Sequence, residues 1–205
     1  MKHPEVILVP VLALSDYYLT VLGSALKAKR YDAFVRLEHY ELNPGFQDAI
    51  ARKQWVNPRA LIATAALTLL LLVLAESSDL PPHLVVGFIG CATLFYASLV
   101  GRHVANIMIF RLFIRRSGEV TGHISYSHHF MLTMSTYAYL SVAVPVVLLA
   151  IFSPTPFAIG GAVGVALLFL VHSQWTRTHV RQEMTANANT EARPDTERGH
   201  EATQA

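Results

Sequence analysis

Apolar positions along the chain fall into five long runs that are separated by shorter polar segments. Each run comes near the roughly 20 residues that a helix needs to cross about 30 Å of hydrocarbon. The pattern therefore predicts an all-α, polytopic membrane bundle within residues 1–182. The predicted spans cover residues 6–27, 59–76, 83–106, 129–152 and 157–175.

Local signals refine the boundaries of these runs. Asn57 and Pro58 predict an N-cap followed by proline at the first helical position. The third run keeps its helical pattern through Arg116, which predicts a helix that emerges beyond the headgroups. A secretory signal peptide is a competing interpretation of the first run, but that run is long, contains an aspartate and is followed by positive charge.

Two segments differ from the apolar runs. Residues 28–57 are basic and aromatic, with one-sided helical spacing at Tyr31, Phe34 and Val35 and again at Phe46 and Ile50. We expect short amphipathic helices at the interface there. Residues 183–205 contain no aromatic, Leu, Ile or Val residue, so we expect a disordered tail.

Composition supports a membrane protein. Hydrophobic residues make up 53% of the chain and charged residues 15%, against about 25% charged residues in soluble domains. The single cysteine excludes a disulfide scaffold. Because the basic residues flank apolar runs, we expect no nucleic-acid partner.

Positive charge is distributed unevenly between the loops. With five spans, fifteen of the sixteen Lys and Arg residues fall on one side. The positive-inside rule then predicts an outer N terminus and a cytoplasmic C terminus in a prokaryotic inner membrane.

Asp16 is the most unusual residue of the first run. We expect it near the middle of the span, where a charge costs about 2.5–3.5 kcal/mol on insertion scales. It shares a helical stripe with Thr20 and Lys27. One interpretation is a proton or cation site with Thr20 as second ligand and Arg102, or a hydroxyl of the fourth span, as partner. The favoured interpretation is an aspartate that fixes helix packing, because no second acid lies inside another span.

A short motif follows from Asp16. The residues Asp16-x-x-x-Thr20 and Gly23, followed by Glu41-x-Asn43-Pro44, resemble a family of small bacterial and archaeal multipass proteins of unknown function. The resemblance covers about residues 8–75, with a longer Thr20–Glu41 interval than is usual in the family. It implies an integral membrane protein and no particular activity. Glu41 and Asn43 either cap or bridge the ends of the first two spans, or form a turn with a solvated acid.

Histidines and glycines add two further candidates. His123, His128 and His129 form a weak candidate for a transition-metal site, with titrating or headgroup-facing histidines as the favoured alternative. No cofactor is otherwise indicated. The sequence Gly160-Gly161-x-x-Gly164 allows close helix approach, either within the chain or between copies.

Three functions fit these observations. The favoured one is a non-enzymatic scaffold or accessory subunit, because no catalytic motif is present. The second is a small oligomeric channel, or a proton- or cation-linked transporter, that uses Asp16. The third and weakest is a histidine-dependent metal or lipid enzyme. The expected partners are the lipid bilayer and either a second copy of the chain or another membrane protein.

Overall fold

The structure is a computed structural model that describes residues 2–37, 40–43 and 45–191. Short 3₁₀ turns cover Pro4–Ile7, Tyr31–Ala33 and Ser117–Glu119. The helices and strands of the described part are α1 (Leu8–Arg30), β1 (Val35–Leu37), α2 (Gln47–Ala51), α3 (Pro58–Glu76), α4 (Pro82–Arg115), β2 (Ile124–Tyr126), α5 (His128–Phe152) and α6 (Pro156–Glu191).

In the described part of the chain, five helices are long and apolar enough to cross a membrane. The candidate spans are Pro4–Lys29, Pro58–Glu76, Pro82–Arg115, His128–Phe152 and Pro156–Thr178. Large apolar side chains cover the outside of the bundle, as at Ile62 and Phe152, and apolar surface on this scale is typical of contact with lipid. The prediction of an all-α, multi-pass bundle is confirmed.

Helix ends follow the local chemistry of the sequence. The Asn57 side chain accepts a hydrogen bond from Arg59 N at 2.9 Å, and Pro58 occupies the first position of α3. Helix α4 continues to Arg115, as its pattern predicts. Helix α6 reaches Glu191, so residues 183–191 are helical where disorder was expected. This segment contains Ala, Glu and Met, which are good helix formers. Residues 192–205 lie outside the described part.

Helices α4 and α6 approach each other closely through glycines. A Cβ atom on Gly160 would overlap the backbone of Gly87, and a Cβ atom on Gly164 would overlap the backbone of Cys91. Only glycine allows this separation of the two backbones. The Gly160–Gly164 motif is therefore used for packing within the chain.

The connecting segment is only partly helical. Helix α2 places Ile50 in a buried cluster with Tyr17 and Val21, as its spacing predicts. Val35, in contrast, lies in β1, which pairs in parallel with β2 so that Val35 faces Ile124. The helix expected over Tyr31–Val35 is replaced by a 3₁₀ turn and a strand, because a distant segment offers hydrogen-bond partners to a β-branched residue.

Contacts between α1 and α3 show where the candidate site lies along the bundle. Ala60, at the start of α3, shares a buried cluster with Tyr17, and Glu76, at its end, accepts a hydrogen bond from Lys2 N at 3.2 Å. The 19 residues of α3 span about 28 Å, close to the thickness of the hydrocarbon layer. Asp16 therefore lies level with the first turns of α3, although it is near the middle of the candidate span Pro4–Lys29. We call this end of the bundle, which carries the 28–57 segment and residues 111–116, the basic end.

Candidate functional site

A cavity of about 330 Å³ lies at the basic end. It is bounded by α1, α3, α4 and α6, and the segment 41–50 contributes to its wall. This volume is at the lower end of the range of small-ligand pockets, about 300–1,000 Å³. The polar side chains that line the cavity belong to Asp16, Thr20, Thr64, Glu41, Asn43, Arg102, His103 and His172.

Asp16, Thr20 and His103 form the centre of this site. Asp16 Oδ1 lies 3.1 Å from His103 Nε2, and Thr20 Oγ1 lies 3.0 Å from the same nitrogen. The Thr20 hydroxyl donates its only proton to the main-chain oxygen of Asp16 at 2.7 Å. Its oxygen must then accept from His103, so Nε2 carries a proton.

The partner of Asp16 is thus His103 and not Arg102. Arg102 donates to the Ser135 hydroxyl of α5, and its guanidinium lies 5.1 Å from the centre of the Tyr139 ring. Consecutive helical residues point about 100° apart, so Arg102 faces α5 while His103 faces α1. The hydroxyl of the fourth span that was considered for Asp16 therefore binds Arg102.

Several buried polar atoms of the site lack hydrogen-bond partners. They include Asp16 Oδ1, Arg102 Nε and His103 Nδ1. The 3.1 Å contact of Asp16 with His103 is therefore a charge contact without hydrogen-bond geometry. Because most buried polar atoms in proteins are satisfied, unsatisfied atoms beside a cavity are available to bind water or a ligand. Asp16 offers an acceptor and Arg102 offers a donor.

Glu41 is a second acid in the same cavity. Its Oε1 accepts a hydrogen bond from Asn43 N at 2.7 Å, and Asn43 Oδ1 accepts from Gly45 N at 3.0 Å. Glu41 therefore neither caps a span nor stands free in solvent. Burial raises the pKa of Glu41 above its ordinary value, although the Asn43 N–H and the charges of Arg102 and His103 act in the opposite direction. The nearby Asp16 raises this pKa further.

Gly23 accounts for how Glu41 reaches the cavity. A Cβ atom at this position would overlap the hydroxyl of Tyr40, so the glycine gives Tyr40 its place against α1. The Tyr40 ring also packs on Phe110 of α4 with 5.8 Å between ring centres. Tyr40 is thereby held between two helices and positions the adjacent Glu41.

The motif residues therefore converge in space. Asp16, Thr20, Glu41 and Asn43 line one cavity, and Gly23 supports its edge. Pro44 lies outside the described residues. This convergence was not predicted, because Asp16 and Glu41 lie on different elements.

The candidate metal site is not assembled. Among the described residues, no group of three or more His, Cys, Asp or Glu side chains is placed to hold a metal ion. His123 precedes β2, while His128 and His129 begin α5, and two adjacent helical residues point in different directions. His172, in contrast, is buried in the cavity wall, with Nδ1 3.0 Å from Leu168 O. Its position on α6 opposite α5 was not predicted.

Comparison with known proteins adds no assignment to this geometry. No protein-family model, no curated protein and no solved structure matches the chain.

Proposed function

We propose that this protein is a proton- or cation-linked transporter of an inner membrane. It would bind a cationic group in the cavity lined by Asp16 and Glu41, which we call the acidic cavity. The observation that carries this proposal is the convergence of Asp16 and Glu41 on one cavity at the basic end of the bundle. The sequence favoured a scaffold because it showed a single intramembrane acid. A second acid in the same cavity favours ligand binding instead.

The charges of the cavity support a cationic ligand. Asp16 and Glu41 supply two carboxyl groups, while Arg102 is directed toward Ser135 and Tyr139 of α5. Among the basic side chains that the structure describes, only His103 lies within 4 Å of the Asp16 carboxylate. A ligand cation would give Asp16 Oδ1, which has no hydrogen-bond donor, a partner of opposite charge.

Proton linkage follows from the position of Glu41. Burial in the cavity raises the pKa of Glu41, so its protonated form is favoured more there than in water. A cation that enters would stabilise the ionised form and so release the proton. Binding of the cation and loss of the proton are then coupled through one carboxyl group.

The surroundings of the cavity agree with transport. The cavity lies beside the N-terminal end of α3, which places it close to one aqueous face, and the basic residues around it favour the cytoplasmic face. Five helices leave little room for a continuous pore within one chain. We therefore propose that the transporter works by alternating exposure or as a homo-oligomer.

Reconstitution into liposomes tests this proposal. Gradients of sodium, ethanolamine and choline would be applied while a trapped pH-sensitive dye reports proton movement. We expect cation-driven proton movement with the wild-type protein and its loss in Asp16→Asn and Glu41→Gln. Asp48→Asn is the matched control, because Asp48 is exposed on α2 and does not line the cavity. Equal proton movement in wild type and Asp16→Asn, or none with wild type for all three cations, would refute the proposal.

A further inference from the structure

A second, apolar depression lies between α4 and α5. Helix α5 packs along α6 and leaves a groove of about 610 Å³ beside α4. Small or β-branched residues at helical spacing form its two walls. They are Ala97, Gly101 and Ala105 on α4, and Ala138, Val142 and Val146 on α5.

The groove ends at polar side chains. Arg102 lines both the groove and the acidic cavity, so the two spaces meet at this residue. Tyr139 also lines the groove and is 1% exposed. The Arg102 guanidinium, whose Nε has no hydrogen-bond partner, and the Tyr139 ring therefore lie where the groove reaches the polar cavity.

The groove opens sideways toward the bilayer. Gly101, Ala138 and Val142 on its walls are exposed, and they lie within candidate spans. From Arg102, the α4 wall extends to Leu94, eight residues or about 12 Å deeper into the apolar layer. Lipid, rather than a dissolved molecule, is the material that reaches such an opening.

We propose that the groove binds a phospholipid whose headgroup carries a phosphate and an amine. Its acyl chain would lie along α4 and α5, and its phosphate would contact Arg102. This inference rests on the proposed function, because the amino group is the cation that the acidic cavity would take. Charge order supports it, since the guanidinium lies between the apolar groove and the two carboxyl groups. A phospholipid of this class has the same order of chain, anionic phosphate and cationic amine.

Arginine suits the proposed contact. Its guanidinium remains charged and presents several donors in a plane, and phosphate oxygens accept from such donors. Ser135 occupies one donor of Arg102, while Nε has no partner. The stacking of the guanidinium on Tyr139 holds this orientation.

Native mass spectrometry of the purified full chain tests the proposal. Phosphatidylethanolamine and phosphatidylglycerol would be titrated separately into detergent-solubilised protein, and the bound lipid counted. Gly101→Leu fills the groove, and nothing lies within 4 Å of a Cβ atom at this position, so the fold has room for the change. Ala66→Leu is the matched control on the exposed face of α3, outside both the groove and the cavity.

We expect one tightly bound phosphatidylethanolamine in wild type and Ala66→Leu, and about tenfold weaker binding in Gly101→Leu. Asp16→Asn should reduce phosphatidylethanolamine binding to the level of phosphatidylglycerol. If Gly101→Leu does not fold, Ala138→Leu fills the same groove from α5.

Equal phosphatidylethanolamine binding by Gly101→Leu and Ala66→Leu would overturn the lipid site. Ethanolamine-driven proton movement would in that case still support the transporter. Equal binding of the two lipids by wild type would overturn the headgroup assignment. Tight phosphatidylethanolamine binding without any cation-driven proton movement would remove the transporter and leave the groove.

Discussion

Replacement of His103 by leucine tests the central contact of the site. The change removes the only described basic group within 4 Å of the Asp16 carboxylate and the donor to Thr20 Oγ1. Leaving a fully buried charge without its partner costs about 3–5 kcal/mol. Asp16 retains 24% side-chain exposure, against 5% for His103, so part of this penalty is relieved by solvent. We therefore expect a loss of about 2 kcal/mol in unfolding free energy.

A double-mutant cycle separates this contact from lost packing. Asp16→Asn removes the charge that His103→Leu would strand, so the double variant should be less destabilised than the sum of the two single variants. We expect a coupling free energy of about 1 kcal/mol. Reversible unfolding in mixed micelles would measure it for all four proteins.

The control for this cycle is His83→Leu, because His83 is exposed at the opposite end of α4. It should leave the free energy of unfolding unchanged within about 0.5 kcal/mol. Strict additivity of Asp16→Asn and His103→Leu would show that the two side chains do not interact, and the assignment of His103 as the partner of Asp16 would fail.

Two further predictions concern stability. Because burial raises the pKa of Glu41, its stabilising protonated form is fully present below the ordinary glutamate pKa and is lost as pH rises through the raised value. As pH rises from acidic to neutral, wild type should therefore lose stability relative to Glu41→Gln, as measured by thermal melts of the two proteins. The same pH dependence of the melting temperature in both proteins would contradict this. The methyl group added by Gly160→Ala would overlap the backbone of Gly87, so this change should lower the free energy of unfolding by about 1–3 kcal/mol. Nothing lies within 4 Å of a Cβ atom at Gly101, so Gly101→Ala should leave the free energy of unfolding almost unchanged in the same assay. Equal losses in the two variants would contradict the close packing of α4 and α6.

The spans were predictable because their signals are local. A run of apolar residues, an N-cap such as Asn57 and the continuous pattern of α4 are all visible within one segment of sequence. The β1–β2 pair was not predictable in this way. Its hydrogen bonds join residues such as Val35 and Ile124 that are far apart in the chain, and neither strand has a long alternating pattern.

The candidate site was only half predictable for a related reason. Asp16 and Thr20 could be identified from a stripe on one helix, and Thr20 and Lys27 on that stripe are indeed buried. The choice of His103 over Arg102 depends on the rotation of α4 relative to α1, which sequence spacing within one helix does not determine. The available signal was His103, a polar residue of the third span next to Arg102.

The depth of Asp16 shows how packing changes a functional interpretation. Counted along the first apolar run alone, Asp16 lies in the middle of a span and must be neutralised or paired. Measured against α3, which is about as long as the hydrocarbon layer is thick, it lies beside the polar segment that carries Glu41. The lipid-facing groove reaches the same site from the side through Arg102. The site therefore joins an aqueous and an apolar approach, which is the arrangement that an amphiphilic ligand requires.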